Sequence, residues 1–238
     1  MQPPHPKTLA LLAREQFVQR TPEWFAVRRD LLTASDAASA LDVKPYASYR
    51  GSSRAELLRR KAGPEVPMNN IFMAHGVRYE DEARAWAMDA MGERAYDVGL
   101  VRHATLPWLA ASPDGVTSGG RLVEIKCPLK RRIEPGHVPA HYWPQVQVQM
   151  ECCDVDSTLF VQYKPPGLQA DGRALLDIVV VERDRAWFEA NQEALHACWA
   201  EFMELRRVAG PQEAVPLVVP QCTIADDLYS YDPAPESP

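Results

Sequence analysis

The segment "SPDGVTSGGRLVEIKCP", residues 112–128, contains the residue types of a hydrolytic metal site within a run that otherwise predicts buried strands. Side chains alternate along a strand, so Glu124 and Lys126 share one face. Asp114 lies at a turn ten residues before Glu124, and pairing of the two strands would bring the carboxylates together. Close carboxylates repel unless a cation lies between them, and oxygen ligands favour Mg²⁺ or Mn²⁺. A lysine beside such an ion suits metal-assisted hydrolysis of a phosphodiester.

The alternative interpretation is an ordinary ion pair between Glu124 and Lys126 on a solvated strand face, as is usual for an isolated E-x-K. The flanking apolar residues predict a strand at the centre of a sheet instead. Together with the preceding SPDG turn, they favour the metal site.

Composition limits the class of protein. The 238 residues, 24% of them charged, predict one globular domain over residues 1–210 and a Pro-rich acidic tail over 211–238. The formal charge of −6 argues against general binding of nucleic acid, although a locally basic channel can lie within an acidic body.

The five cysteines form no C-x-x-C pair, which disfavours zinc and iron–sulfur sites and fits reduced thiols in a cytoplasm. No apolar run approaches the ~20 residues needed to cross a bilayer, and the polar start is unlike a secretory signal. We therefore expect a cytoplasmic protein with no membrane partner.

The elements that must position these residues follow from local patterns. Helices are predicted first, with a Thr21–Pro22 start, a capping box from Ser53 to Glu56, and a long helix ending at Gly92. Strands are then predicted for "AYDVGLVRH", "LAASPDG" and "RLVEIKC", and for "STLFVQYKP" paired with "LLDIVVVERD". The segment "HYWPQVQVQMECC" fits a helix or, by its Val–Gln alternation, a strand. A long amphipathic helix, "RAWFEANQEALHACWAEFMELRR", closes the domain.

Four ordered blocks resemble one known family. "SPDG" followed by "EIKCP" resembles the PD-(D/E)XK nuclease signature as found in the phage lambda-type alkaline exonucleases, the YqaJ-like viral recombinases. "EWFAVRRDLLTASDAA", "HGVRYEDEA" and "YWPQVQVQM" resemble further blocks of that family, and the likeness extends over roughly residues 20 to 210. The resemblance implies an α/β fold with a restriction-endonuclease-like core, in which helices flank a mixed central β-sheet.

The resemblance also implies catalytic roles. Asp114 and Glu124 would bind the metal with the Ile125 carbonyl, and Lys126 would orient or activate the attacking water. Glu80, selected by its G-x-x-x-E register, would complete the site or hold a second metal. Gln147 would line the site, although an exposed helix amide remains an open interpretation for it.

A second group would bind DNA. By resemblance, Arg28, Ser35 and Ser112 form a pocket for a terminal 5′-phosphate, since a guanidinium and hydroxyls suit a phosphate. The alternative is that Ser35 caps its helix and Arg28 pairs with a surface acid.

Three further residues are DNA-binding candidates with equally open alternatives. Trp24 would stack at the DNA end, or anchor the N-terminal helix. Lys130 and Arg131 would contact the backbone, or lie in a solvated loop.

His103 and Asp97 are weaker candidates for a second metal shell.

The resemblance implies a Mg²⁺-dependent, double-strand-specific 5′–3′ exonuclease, with Mn²⁺ as a substitute and two metals per site. It would release mononucleotides and leave a 3′ overhang, as a ring-shaped homotrimer working with a single-strand annealing recombinase of a phage or prophage in a bacterial host. The alternatives are a structure-specific endonuclease, a Cas4-like end-trimming nuclease, and an inactive DNA-end-binding scaffold.

Overall fold

A computed structural model of the chain describes residues 3–46, 49–63, 71–169 and 171–210, so the predicted tail lies outside the described residues. Within them the helices are α1 Pro6–Leu12, α2 Pro22–Arg29, α3 Ala37–Ala40, α4 Ser53–Ala62, α5 Ile71–Met91, α6 Trp143–Cys153 and α7 Arg185–Ala209, with a 3-10 turn at Ala34–Asp36. The strands are β1 Leu32–Thr33, β2 Ala95–Tyr96, β3 Val101–Arg102, β4 Leu109–Ala111, β5 Gly115–Thr117, β6 Leu122–Lys126, β7 Ser157–Lys164 and β8 Leu175–Glu182.

The main sheet has the strand order β2-β5-β6-β7-β8. Its central strand β6 runs antiparallel to β5 and parallel to β7, and α6 forms the crossover between β6 and β7. A central strand covered on both faces is buried along its length, which explains the buried run Leu122–Ile125, in which Glu124 is the one charged residue. The predicted α/β fold with a mixed central sheet flanked by helices is confirmed.

Helix α5 covers one face of this sheet. Ala83 and Ala87 are fully buried and belong to one apolar cluster with Val123, Ile125 and Tyr163. Their small side chains let the helix approach the strands closely, which holds its other residues at a fixed height above the sheet. In the part of the chain that the structure describes, every helix is too short or too polar to cross a membrane.

A small second sheet, in the order β1-β4-β3, connects the N-terminal region to the SPDG turn. Strand β1 pairs in parallel with β4, so Thr33 lies opposite Ala110. Because Ser112 comes two residues after Ala110, this pairing brings the 3-10 turn close to the start of the SPDG segment.

Two local predictions are corrected. The cap of α4 is Ser52, whose side chain accepts the Ala55 N–H, because the helix already includes Ser53. The segment "AYDVGLVRH" forms two short strands, β2 and β3, that belong to different sheets. The open question for "HYWPQVQVQMECC" is settled as a helix, and the Thr21 cap of α2 is confirmed.

Candidate active site

Asp114 immediately precedes β5, and Glu124 lies on the neighbouring central strand β6 of the main sheet. The Asp114 N–H donates to the Val123 carbonyl over 3.0 Å, which continues the β5–β6 ladder by one residue. Asp114 Oδ2 accepts a 2.6 Å hydrogen bond from the Ile125 N–H. The N–H and C=O of a strand residue point to the same side, so the Ile125 carbonyl also faces Asp114. The hairpin thus collects oxygen atoms from both strands.

The Glu124 carboxylate is almost completely buried, with 2% of the residue exposed, and three side chains contact it. Lys126 Nζ lies 2.5 Å from Glu124 Oε1, as does the side-chain amide of Gln145. The side-chain amide of Gln149 donates to Oε2 over 2.6 Å. The ion pair foreseen for Glu124 and Lys126 therefore exists, but inside the protein and not on a solvated face.

Gln145 and Gln149 were not predicted as site residues, and Gln147 was placed wrongly. Gln147 Nε2 donates to the Glu182 carbonyl at 3.0 Å and its Oε1 accepts from the Asp184 N–H at 2.7 Å, so this side chain ties α6 to the connection between β8 and α7. On a helix, residues four apart share a face and the residue midway between them lies on the other side. The spacing Q-x-x-x-Q was the signal that would have identified the pair.

The charge states follow from these contacts. Burial alone would lower the pKa of Lys126, but the Glu124 carboxylate, with Tyr142 and Asp114, raises it, so the side chain is a cation at neutral pH. Its Nζ also lies 4.9 Å from the centre of the Tyr142 ring. For Asp114, burial and the charges of Glu124 and Glu80 raise the pKa well above its usual value. The site therefore holds more negative charge than its cations neutralise.

Glu80 reaches this site from α5, as its G-x-x-x-E register predicted. Its charge acts on Asp114, and its Oε2 pairs with Arg20 Nη2 at 2.7 Å. Arg20 has a left-handed backbone with φ of 65° and ends the segment before α2. The described side chains include no group of three or more His, Cys, Asp or Glu already arranged around a metal position.

The donor chemistry nevertheless fits a divalent cation. The carboxylates of Asp114, Glu124 and Glu80 supply hard oxygens, which Mg²⁺ and Mn²⁺ prefer. Each carboxylate is instead held by a protein donor: a backbone N–H, a lysine with two amides, or an arginine. Burial and, after it, the charges of Glu124 and Glu80 raise the pKa of Asp114, and a divalent ion would offset both effects.

A second cluster lies on α2, the 3-10 turn and the SPDG segment. Arg28 Nη2 contacts Ser35 Oγ at 3.2 Å, and its guanidinium carbon lies 4.1 Å above the Trp24 ring. Trp24 Nε1 donates to Ser112 Oγ at 3.0 Å. The structure thus brings together Arg28, Ser35 and Ser112, the three residues predicted to bind a terminal phosphate, with Trp24, the predicted stacking residue, between them. Ser35 is exposed, and the cap of the turn is Thr33, so the capping interpretation of Ser35 is wrong.

A buried ion network supports this cluster from behind. Asp36, which is 2% exposed, pairs with Lys61 at 2.9 Å and Arg60 at 2.8 Å. Burial would raise the pKa of Asp36, but these cations lower it far below its usual value. Burial also lowers the pKa of Arg28, an effect that Asp36 offsets in part. Asp36 therefore remains ionised and holds the turn that presents Ser35.

The remaining candidates are divided between the site and other contacts. Arg131 lies 5.7 Å from the Tyr142 ring, which Lys126 also contacts, whereas Lys130 Nζ lies 5.8 Å from the ring of Phe72 on α5. His103 stacks on Phe188 and accepts backbone N–H groups, which supports a structural role. Asp97 is exposed and pairs with Arg84 at 2.5 Å.

Comparison with known proteins agrees with this geometry. Residues 23–156 match the family described as the YqaJ-like viral recombinase domain. The alkaline exonuclease LHK-Exo from Laribacter hongkongensis is 31% identical, with a TM-score of 0.63 over 79% of this chain and 96% of that one. Its complex with dAMP gives 30% identity, a TM-score of 0.64 and the same coverage.

Two further relatives are more distant or much longer. A phage-related exonuclease from Haemophilus somnus 129PT is 14% identical over 76% of this chain and 96% of that one, with a TM-score of 0.58, and shows the shared fold alone. The uncharacterized protein R354 of Acanthamoeba polyphaga mimivirus is 31% identical over 167 residues, 63% of this chain and 30% of the relative. The chain thus matches less than a third of that curated relative.

Proposed function

Because the chain belongs to the lambda-type alkaline exonuclease family, with its YqaJ-like viral recombinase domain, we propose that it is a Mg²⁺-dependent double-strand-specific 5′–3′ DNA exonuclease. It hydrolyses the 5′-phosphorylated strand processively to mononucleotides and leaves a 3′ overhang for strand annealing. The observation that carries the proposal is the convergence of the buried Glu124 with the half-buried Asp114 and Lys126 in the middle of the main sheet.

The oxygen ligands proposed for the metal are Asp114, Glu124, the Ile125 carbonyl and Glu80. When bound, Mg²⁺ supplies countercharge to the attacked phosphate and lowers the pKa of a bound water, and Mn²⁺ substitutes for it. Two ions per site are proposed on the family resemblance, with Glu80 as the ligand available to the second ion.

The protein's own groups position the reactants. The Lys126 ammonium donates to the attacking water or to a phosphate oxygen, next to the developing charge. Gln145 and Gln149 fix the rotamer of Glu124 through both its oxygens. Arg28, Ser35 and Ser112 bind the terminal 5′-phosphate, and Trp24 presents an aromatic face to the terminal base.

Assembly and setting are also proposed. A ring-shaped homotrimer would surround the duplex and reconcile an acidic chain with DNA binding, since the basic groups would face the channel. A single-strand annealing recombinase would take up the 3′ overhang. The family's viral recombinase name supports a viral origin, and the setting proposed for this chain is a phage or prophage acting in the bacterial cytoplasm.

Linear duplexes labelled at each terminus, with 5′-phosphate or 5′-hydroxyl ends, test the proposal. We expect Mg²⁺-dependent release of the 5′ label as a mononucleotide, with the 3′-labelled strand shortened from its 5′ end. A covalently closed circular duplex should stay intact because it offers no end. Cutting of the circle would indicate an endonuclease, and binding without nucleotide release would indicate an inactive scaffold.

Arg28→Met should reduce the rate on 5′-phosphorylated ends about 10- to 100-fold, because the main charge partner of the phosphate is removed. The rate on 5′-hydroxyl ends should change little, and Ser35→Ala should give a smaller effect of the same kind. Arg29→Met is the matched control, since the next helix position faces about 100° away. Equal losses on both kinds of end would contradict the phosphate pocket.

Gln149→Leu should raise the Mg²⁺ concentration for half-maximal activity severalfold, since Glu124 loses the donor that holds its Oε2. Gln147→Leu is the control: both glutamines are 1% exposed on the same helix, but Gln147 ties that helix to the connection between β8 and α7. That variant should melt at a lower temperature and keep the normal Mg²⁺ requirement. Metal titrations of initial rate, with melting curves, compare the two, and an unchanged titration for Gln149→Leu would exclude the positioning role.

A further inference from the structure

Two lysines of this chain have little exposed surface but differ in their surroundings and contacts. Lys61, 8% exposed, donates to the carbonyls of Arg28 and Leu31 at 3.0 and 2.8 Å and pairs with Asp36. Its three N–H donors therefore have three acceptors. Lys164 is 6% exposed, and within the described residues its ammonium has neither a hydrogen bond nor an ion pair. Its Nζ atom is not completely buried, so an anionic ligand can reach this cation and supply the partner that the protein does not.

A second cation adds to this unbalanced charge. Arg131 Nη2 is buried without a hydrogen-bond partner among the described residues, while its Nη1 bonds to the Arg132 carbonyl at 3.2 Å. Burial and the charge of Arg131 both lower the pKa of Lys164. Two cations that repel each other and keep unused donors form the complement of an anion with several acceptor oxygens.

The nearest carboxylate on the neighbouring strand is already used. Asp177 lies opposite Gln162 in the β7–β8 register, and Gln162 comes two residues before Lys164 on β7. Its Oδ2 accepts from the Gln162 side chain at 3.0 Å and its Oδ1 from the Gly136 N–H at 2.9 Å. It therefore tethers the loop after β6 and does not neutralise Lys164.

The sheet relates these cations to the active site. Lys126 pairs in register with Gln162, and Lys164 follows two residues later on the same face. A rise of about 3.3 Å per residue and a strand spacing of about 4.8 Å place the two lysine Cα atoms about 8 Å apart. Because β6 lies between β5 and β7, Lys164 is on the side of Lys126 away from Asp114 and the Arg28 cluster.

We propose that Lys164 and Arg131 form a second phosphate subsite, which binds the DNA backbone phosphate immediately 3′ of the scissile linkage. The inference rests on the proposed function, since it extends the bound strand from the terminal pocket past Lys126. Across the sheet, the Arg28 cluster would then bind the terminal phosphate, Lys126 would face the scissile phosphate, and Lys164 would bind the phosphate that follows. The subsite would hold the strand in register as each nucleotide leaves.

Lys164→Met tests the subsite, because it removes the charge and keeps the length of the side chain. Binding of a 5′-phosphorylated duplex is measured against salt concentration, with Ca²⁺ in place of Mg²⁺. We expect affinity about tenfold weaker and a salt slope shallower by about 0.9, the value for one lost phosphate contact. Arg207→Met is the control, since Arg207 is exposed and pairs with Glu204 on its own helix. It should leave affinity and slope unchanged.

A neutral methylphosphonate at the second linkage from the 5′ end gives an independent measurement. It should weaken binding by wild type and add nothing to the loss in Lys164→Met, whereas the same group far from the end should affect both proteins equally. Melting curves separate binding from folding: Lys164→Met should melt at the wild-type temperature or above it, and Lys164→Arg should restore the slope. A lower melting temperature without rescue by arginine would overturn the proposal in favour of a structural lysine.

The remaining outcomes are distinct. If wild type binds and digests duplex DNA and Lys164→Met shows an unchanged salt slope of binding, the subsite proposal is wrong and the proposed exonuclease function still stands. Wild type that neither binds nor digests DNA ends would remove the proposed function itself. If dAMP inhibits Lys164→Met less than it inhibits wild type while duplex binding is normal, the site binds the released product. That result would overturn its assignment to the DNA backbone.

Discussion

Lys126→Met is expected to lower the rate of nucleotide release about 10³-fold or more in Mg²⁺, with duplex affinity within about twofold of wild type. The substitution removes the ammonium that lies 2.5 Å from Glu124 and next to the proposed scissile bond. Methionine keeps the apolar length that crosses the Tyr142 ring, so the variant isolates the charge. Single-turnover digestion and equilibrium binding in Ca²⁺ measure the two quantities separately.

The melting temperature of Lys126→Met should also depend on the divalent metal. Without its lysine, Glu124 faces Asp114 with less countercharge, so the melting temperature should fall in EDTA and recover in Mg²⁺. Lys7→Met is the matched control because Lys7 pairs with Asp154 far from the site, at 2.9 Å. Near-normal digestion by Lys126→Met would remove the assigned role of the ammonium.

Asp114→Asn is expected to abolish digestion to a similar extent and, without divalent metal, to melt at a higher temperature than wild type. Asparagine keeps an oxygen that can accept the Ile125 N–H but removes a charge that burial, Glu124 and Glu80 all disfavour. The enzyme would thus gain stability by losing its metal ligand, as expected where function maintains a repulsive cluster.

The pH dependence of this effect has a definite sign. A carboxyl whose pKa is raised in the folded state binds its proton more tightly there, so ionising it costs folding free energy. The cost is absent below the unfolded pKa, about 3.9, grows as pH rises through the interval up to the raised folded value, and is complete above it. The stability advantage of Asp114→Asn should therefore be largest at neutral and alkaline pH and vanish in acid.

Asp97→Asn provides the comparison for this prediction. Asp97 is exposed and pairs with Arg84, which also donates to the Asp114 carbonyl. Its neutralisation should leave digestion within about twofold and give no rise in melting temperature, since exposed ion pairs contribute little. An Asp114→Asn protein that is less stable than wild type in EDTA at neutral pH would contradict the charge balance derived for the site.

The glutamines of α6 show most clearly what a local sequence pattern can and cannot predict. The sequence left this segment as helix or strand, and as a strand Gln145, Gln147 and Gln149 would all have shared one face. Once the segment is a helix, the middle glutamine faces β8 and α7 while the outer two bind Glu124. Only the tertiary structure decided this, because the crossover between parallel strands requires a helix there.

The two buried lysines show the same limit. Neither Lys61 nor Lys164 stood out in the sequence, because burial of a cation and supply of its partners depend on chain segments far apart. Lys61 takes its acceptors from the end of α2 and the 3-10 turn, about 30 residues earlier. Lys164 ends its strand with none among the described residues.

The sequence by itself determined which residues could perform the proposed chemistry: a turn, an alternating strand and ten residues of spacing brought Asp114, Glu124 and Lys126 together, since hairpin register is local. It also selected Glu80, Arg28, Ser35 and Ser112 through their blocks. The tertiary structure decided which donors hold Glu124, how Arg20 meets Glu80, and where cationic charge stays unpaired. These depend on packing between distant elements, which the period of a single segment does not specify.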